Sequence, residues 1–225
     1  MVDVFYIGAY WWNRKEDLAT VVNKTIMFLQ ELSNLDKEFM NWYEKGYNKK
    51  EASRRVSIEK NNIETLYKNG IKKNDLDNEG FSNIGYSIDL WTGHKEEYSS
   101  SISINGGHAS KFFSNSCVII LPIAEESKER LLKLDKQKAV ISLLIKIWQP
   151  DSVVLNSNKL KDETGLINKI GWVTYFKNLN QIPKFSENII HETLNNGHLY
   201  YLKTKNDICY DYDLINELLS LKKLV

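Results

Sequence analysis

The sequence predicts an α+β fold: a mostly antiparallel sheet with helices packed against it, as a single domain over residues 1–225. Three observations predict it. Apolar residues fill both faces of Val2–Trp12, the mark of a central strand, and the chain then runs directly into a helical stretch. The middle third changes to a period of two, where Ile84, Tyr86, Ile88 and Leu90 alternate with Gly85, Ser87 and Asp89. Towards the C-terminus, Asn195-Asn196-Gly197 separates two apolar runs, and Asn-Gly in that setting is a strong hairpin signal.

Each element follows from local chemistry. Asn13, with Glu16 three residues on, is a near match to a reciprocal helix cap. A helix is therefore expected over Lys15–Leu35, with Leu18, Val22, Phe28, Leu29 and Leu32 as its apolar stripe. Asp36 is placed to cap a short helix carrying Phe39, Met40 and Tyr43, which Gly46 stops. Asn48 and Glu51 form another capping pair, opening a helix to about Val56. Ser57 then begins a helix over Glu59–Asn69, whose inner face carries Ile63, Leu66 and Tyr67 and which Gly70 ends.

After the Ile84–Leu90 strand, a turn at Thr92-Gly93-His94 leads into Tyr98–Ile104, where Ile102 and Ile104 oppose a row of serines. Gly106-Gly107 breaks that run, and Cys117–Leu121 is a third strand ended by Pro122. An antiparallel meander is the simplest connection. A helix within Ser127–Trp148, strongest from Asp135, turns Val140, Leu143, Leu144 and Ile147 inward and closes at Pro150. Ser152–Leu155 and Gly171–Phe176 read as strands, Ile189–Leu194 and His198–Leu202 as the hairpin, and Asp213–Leu224 as a final helix. No linker-like stretch interrupts the chain; a seam near residue 125 is where two lobes would divide.

Composition narrows the function classes. With 42% hydrophobic and 26% charged residues, the chain has the make-up of a soluble globular protein. Thirty basic residues against 29 acidic give a net charge of +1, so no global attraction to nucleic acid or to an anionic membrane is expected. Cys117 and Cys209 are too few for a disulfide framework and read as buried free thiols. The N-terminus lacks the layout of a signal peptide, and no apolar run approaches membrane-spanning length. A cytoplasmic protein is the expectation.

Catalytic and metal motifs are sparse. There is no His-x-His, His-Glu-x-x-His or paired Cys-x-x-Cys. If Asn196-Gly197 forms the two-residue turn, Asn195 pairs with His198. His191 and His198 then share a face but stand roughly 14 Å apart, at about 3.4 Å per residue. That is too far for two ligands that must each come within about 2.1 Å of one zinc ion. Both read as structural or surface histidines. Pro150-Asp151 resembles the first half of a Pro-Asp…Glu-x-Lys magnesium site, but Asp162-Glu163 is followed by Thr164-Gly165. Glu126-Ser127-Lys128 has the right spacing and precedes Pro150-Asp151 instead of following it. A metal-dependent hydrolase or nuclease using Asp151, Asp162 or Glu163 with one histidine is thus the alternative reading. No Gly-x-Ser-x-Gly elbow or phosphate loop is present, and Cys117 sits in an apolar strand where a thiol stays inert. No catalytic residue, metal ligand or cofactor is assigned.

Charge and aromatic patterning point instead to a binding surface. Residues 45–73 are basic, whereas Asp75, Asp77, Glu79, Asp89, Glu96 and Glu97 make the next stretch acidic. These are either solvated faces or, for the acidic stretch, a surface that meets a basic partner. Most tryptophans read as core. Trp11 and Trp12 cannot both be buried if helices cover one side of the first strand, and an exposed ring beside Arg14 would suit an interface anchor. The candidate partner-binding residues are Trp12, Arg14, Asp75, Asp77, Asp89, Glu96 and Glu97.

Several of these segments also match a known pattern. Ala9-Tyr10-Trp11 with Arg14 and Glu16 resembles the opening of the bacterial immunity protein 52 family. So do Trp42-Tyr43-Glu44-Lys45-Gly46 with Lys50-Glu51-Ala52, and Ile84-Gly85-Tyr86 leading to Leu90-Trp91-Thr92-Gly93. Asn115-Ser116 running into Leu121-Pro122, and Trp148-Gln149-Pro150-Asp151 before Val153-Val154, continue it in order. The resemblance implies a cytoplasmic antidote, encoded beside a polymorphic toxin that a secretion system delivers in interbacterial competition. Its partner would be that toxin, often a restriction-endonuclease-fold nuclease, neutralised by occlusion of its active or substrate-binding site. The pattern carries over no catalytic residues, and it implies structural roles for Tyr10, Trp11, Arg14, Trp42, Gly46, Trp91 and Pro122.

Overall fold

In a computed structural model of the chain, strand β1 (Phe5–Trp11) lies in the middle of a nine-stranded sheet. The structure describes residues 2–46, 48–165, 170–179, 185–204 and 207–221. β1 pairs antiparallel with β5 (Asn115–Ile120) on one edge and with β6 (Ser152–Ser157) on the other. Beyond β5 come β4 (Ser101–Gly106), β3 (Tyr86–Trp91) and the two-residue β2 (Tyr43–Glu44). Beyond β6 come β7 (Val173–Phe176), β9 (Gly197–Leu202) and β8 (Ile189–Leu194). Every pairing is antiparallel, and β3–β4–β5 is the expected meander. Because β1 joins the two halves, the sheet runs unbroken past residue 125 and no seam falls there.

Alternation along the strands sorts side chains onto two faces. Phe5, Ile7, Ala9 and Trp11 share one face with Ile88, Leu90, Ile102, Ile104, Cys117, Ile119, Val153 and Leu155, all buried. Three helices cover it: α1 (Leu18–Leu35), α3 (Lys60–Asn69) and α5 (Leu134–Trp148). Trp11 stacks on Trp148 of α5 at 5.3 Å, Phe28 of α1 meets Trp148 edge-on at 6.2 Å, and Thr25 and Tyr67 share a hydroxyl hydrogen bond of 2.7 Å between α1 and α3. The short helices α2 (Lys49–Ala52), α4 (Glu125–Leu131), α6 (Asn158–Thr164) and α7 (Ile215–Ser220) finish the chain. Both cysteines are free and buried.

Several boundaries differ from expectation, each for a local reason. Asn13 is not the cap of α1: its φ is +51°, a left-handed conformation that asparagine tolerates. The chain first hugs the sheet, where the Glu16 amide donates to the Gly107 carbonyl at 3.2 Å. The cap is Asp17, whose carboxylate accepts from the Thr20 amide at 2.7 Å. Asp36 does accept from the Glu38 amide, but it opens only a single 3-10 turn, Lys37–Phe39, and Tyr43 joins the sheet. Asn48 caps α2 as expected; the helix ends at Ala52 because the Val56 amide is taken by the Trp42 carbonyl at 2.8 Å. The Ser127–Trp148 helix is two helices, α4 and α5, and Gln149 ends the second with a φ of +47°. In the hairpin the turn residues are Asn195 and Asn196, with φ of +47° and +66°, so Gly197 begins β9. The last helix stops at Ser220, and residues 222–225 lie outside the described residues.

Arg14 donates to the Trp148 and Gln149 carbonyls at the end of α5 and lies 5.0 Å over the Trp11 ring. Arg14→Ala leaves those carbonyls unpaired and is expected to cost about 2 kcal/mol. At this chain length that lowers the melting temperature by roughly 4–8 °C in a thermal scan. Asp36 is held below the usual carboxylate range: burial alone would raise it, but Arg130, the Glu38 amide and Lys136 together outweigh that. A depressed folded pKa stabilises the protein fully above the unfolded value, near pH 4, and that contribution is lost as pH falls through the folded value. Asp36→Asn should therefore lower stability at neutral pH and shallow the acid limb of a stability-versus-pH curve.

Candidate interaction surface

The second face of the sheet is covered over only part of its width. Over β6, β7 and β9, the Asn156 side chain donates to the Ile170 carbonyl, Phe185 meets Tyr200 edge-on at 5.4 Å, and Val154 and Thr174 are fully buried. Gly171 comes so close here that a Cβ would stand 2.7 Å from Val154 and 2.2 Å from the Leu155 carbonyl oxygen. At the far edge, the Trp91 indole donates to the Glu44 and Ala52 carbonyls, which seats α2 on this same side. Between these ledges lie β3, β4, β5 and β1, with no helix over them among the described residues. At about 4.8 Å per strand spacing, the floor measures about 14 Å from β3 to β1.

The side chains of this floor grade across it. Ser87, Asp89, Ser101, Ser103 and Asn105 line β3 and β4; Ser116, Val118 and Ile120 line β5; Tyr6 and Tyr10 line β1. Tyr10 lies flat, because its ring occupies the space where a Cβ on Gly8 would stand, 2.4 Å from its hydroxyl. Burial raises the pKa of both tyrosines, which are neutral at physiological pH; Tyr6 stays partly exposed, whereas Tyr10 is buried. Asp89 carries the only formal charge on β3, β4 and β5 of this face. The Ser103 hydroxyl donates to it, and among the described residues no lysine or arginine pairs with it.

The residues singled out from sequence fall into three places. Trp12, Arg14, Asp75 and Asp77 lie at the end of the sheet where β1 exits and β3 begins. There Arg14 is committed internally, as described. Trp12 is half-buried, and its amide donates to the Asp151 carboxylate at 3.0 Å. Asp75 accepts from the Lys72 amide. Asp77 accepts from the Glu79 and Phe81 amides and pairs with Lys15 at 2.7 Å. Asp89 lies on the open floor. Glu97 is exposed beyond the opposite end of β3, and the side chain of Glu96 lies outside the described set. The seven residues therefore do not form one patch. Sequence reasoning missed Tyr6, Tyr10, Ser103 and Val118, although the serine row opposite Ile102 and Ile104 was the available signal. Phe112, 97% exposed on the β4–β5 loop, lies beyond the end of this floor.

Among the described residues the carboxylates of the hydrolase reading do not come together. Asp151 precedes β6 and α6 follows it, so Asp151 is about 20 Å from Asp162 and Glu163 along six strand residues. These carboxylates cannot hold one ion, and Glu163 pairs with Lys159 at 3.7 Å. The hairpin register corrects the histidine separation. With the turn at Asn195-Asn196, Thr193 pairs with His198, and His191 Nε2 comes 3.0 Å from His198 Nδ1. Among the described residues no group of three or more His, Cys, Asp or Glu side chains is arranged for a metal. At the Glu97 end, a cleft of about 440 Å³ is lined by Glu38, His94, Tyr98 and Arg130. Glu38 is already engaged there by the Thr92 and Ser100 hydroxyls at 3.3 Å. Burial also pushes the Cys117 thiol well above its ordinary pKa, leaving it inert. No helix among the described residues is long and apolar enough to cross a membrane.

Comparison with known proteins adds the family. Among solved structures, the chain is similar to the Pseudomonas aeruginosa T6SS protein PA0821, with a TM-score of 0.53 and 11% identity. The match covers 97% of this chain and 72% of that one, a likeness of fold. No curated protein matches the sequence. Trp11 and Trp42 are buried and Arg14 and Trp91 bond within the chain, the structural roles that the shared pattern implied. The family model of Immunity protein 52 matches residues 3–204, nearly the whole chain, and the protein belongs to that family.

Proposed function

We propose that this protein is a cytoplasmic antidote that binds the toxin encoded beside it and blocks that toxin by occluding its active or substrate-binding site. The observation that carries the reading is the open half of the sheet: a broad preformed face that nothing in the described chain covers, in a member of an immunity family. Rigid β structure suits this task, because a surface held by hydrogen-bonded strands loses little freedom when a partner docks. The resemblance favours a restriction-endonuclease-fold nuclease as the toxin. Such an enzyme presents a basic cleft to nucleic acid, and carboxylates such as Asp75, Asp77, Asp89, Glu96 and Glu97 would steer the antidote toward it.

The test is reconstitution. The product of the adjacent gene, purified and assayed on DNA and RNA, should lose activity as one equivalent of this chain is added. Association should slow as salt rises, since steering by exposed charge is screened beyond a Debye length of about 8 Å at physiological ionic strength. Metal-dependent turnover by the chain alone, abolished by a chelator, would replace this reading with the hydrolase one.

A further inference from the structure

The open floor is graded, and the gradient describes what would lie on it. Its β3–β4 side is hydroxyl-rich around the lone carboxylate Asp89; its β5–β1 side is apolar, with Val118, Ile120 and Tyr6. Ile120 is 39% exposed, a large aliphatic side chain left in water on a folded surface. The floor measures about 14 Å from the β3 axis to the β1 axis, and its six-residue strands run for about 20 Å. A single added strand would cover only about 4.8 Å of that width. An α-helix, about 10–12 Å across, fills it, and about thirteen residues match its length.

We infer that this floor seats one amphipathic helix of the toxin, its apolar face over Val118, Ile120 and Tyr6 and a lysine or arginine over Asp89. The inference rests on the immunity reading and adds the surface and the chemistry of the partner. Charge complementarity carries the orientation. Asp77 already has Lys15 and Glu38 already has Arg130, whereas Asp89 sits on the open face with a serine hydroxyl as its described partner. Small serine side chains beside it let a long cationic side chain reach down between the strands. The hydroxyls accept or donate without needing a particular sequence, while the aliphatic side of β5 supplies the apolar contact that buried interfaces concentrate their affinity in.

The experiment compares variants of the full chain for binding to the product of the adjacent gene. Val118→Arg should weaken binding by at least about 30-fold, the scale of an interface hot spot. Asp89→Lys should weaken it by about tenfold or more and reduce its salt dependence. Ser103→Arg, at an exposed position, makes the same test should Val118→Arg fail to fold. Phe112→Ala, on the loop at the end of the sheet, should stay within about twofold, since a truncation outside the anchoring contacts leaves binding near neutral. Hydrogen exchange in the complex should protect one toxin segment of about thirteen successive residues. Wild-type binding unaffected by the Asp89, Val118 and Ser103 variants would overturn this inference and leave the immunity reading standing. So would a large loss in Phe112→Ala alone, or a toxin footprint scattered over loops. Failure of the wild-type chain to bind at all would overturn the immunity reading itself.

Discussion

Strand β1 is hydrogen-bonded along both edges, and the rest of the molecule depends on that double pairing. Residues Tyr6 to Trp11 pair with β5 while Phe5 to Tyr10 pair with β6, so a meander from the first half of the chain and a hairpin system from the second become one sheet. Pairing along both edges leaves the two faces of β1 to be settled by what packs on each. Its inner residues Ile7, Ala9 and Trp11 pack under α1 and α5, and its outer residues are flattened, with Tyr10 lying over Gly8. The Trp11–Trp148 stack then fixes α5 over the strand, and Arg14 secures the end of that helix from the residue turn just beyond β1. One short segment thereby sets sheet order, helix placement and the geometry of the rim.

The consequence for function is one of uneven coverage. The three long helices all pack against a single face, whereas among the described residues the other face is covered over β6, β7 and β9 and, at its far edge, beside α2. What remains is a floor of backbone, hydroxyls and a few apolar side chains whose shape is fixed before any partner arrives. Affinity at such a surface comes from a small number of desolvated anchors, with the surrounding contacts excluding water. The paired acids of the rim behave differently. Lys15 bridges Asp77 and Glu79 at 2.7 and 3.1 Å, so their field is largely local, and their contribution to a distant partner is smaller than a count of carboxylates suggests.

Local rules located most elements and failed where tertiary contacts competed with them. Asn13 and Glu16 satisfied a capping pattern, yet the Gly107 carbonyl took the Glu16 amide, and Asp17 capped the helix instead. Asn-Gly identified the hairpin correctly but placed its turn one residue late. That shift brought His191 and His198 from an expected 14 Å, at about 3.4 Å per residue, to a 3.0 Å contact. Pro150-Asp151 and Asp162-Glu163 are close in sequence but are separated by a fully extended strand, which removed the nuclease-like carboxylate set.

The sequence by itself determined the α+β class, the central position of the first strand and the meander, because apolar periodicity reports directly which side chains must leave water. It also determined the family, through tryptophans and an arginine that bond within the fold. Which face would stay open was decided only by tertiary structure: alternation says that a strand has two faces, not which of them the helices will reach. For the same reason the seven residues chosen from charge and aromatic pattern scattered to three places, while Tyr6, Val118 and Ser103, unremarkable in sequence, were gathered onto one floor by strand pairing.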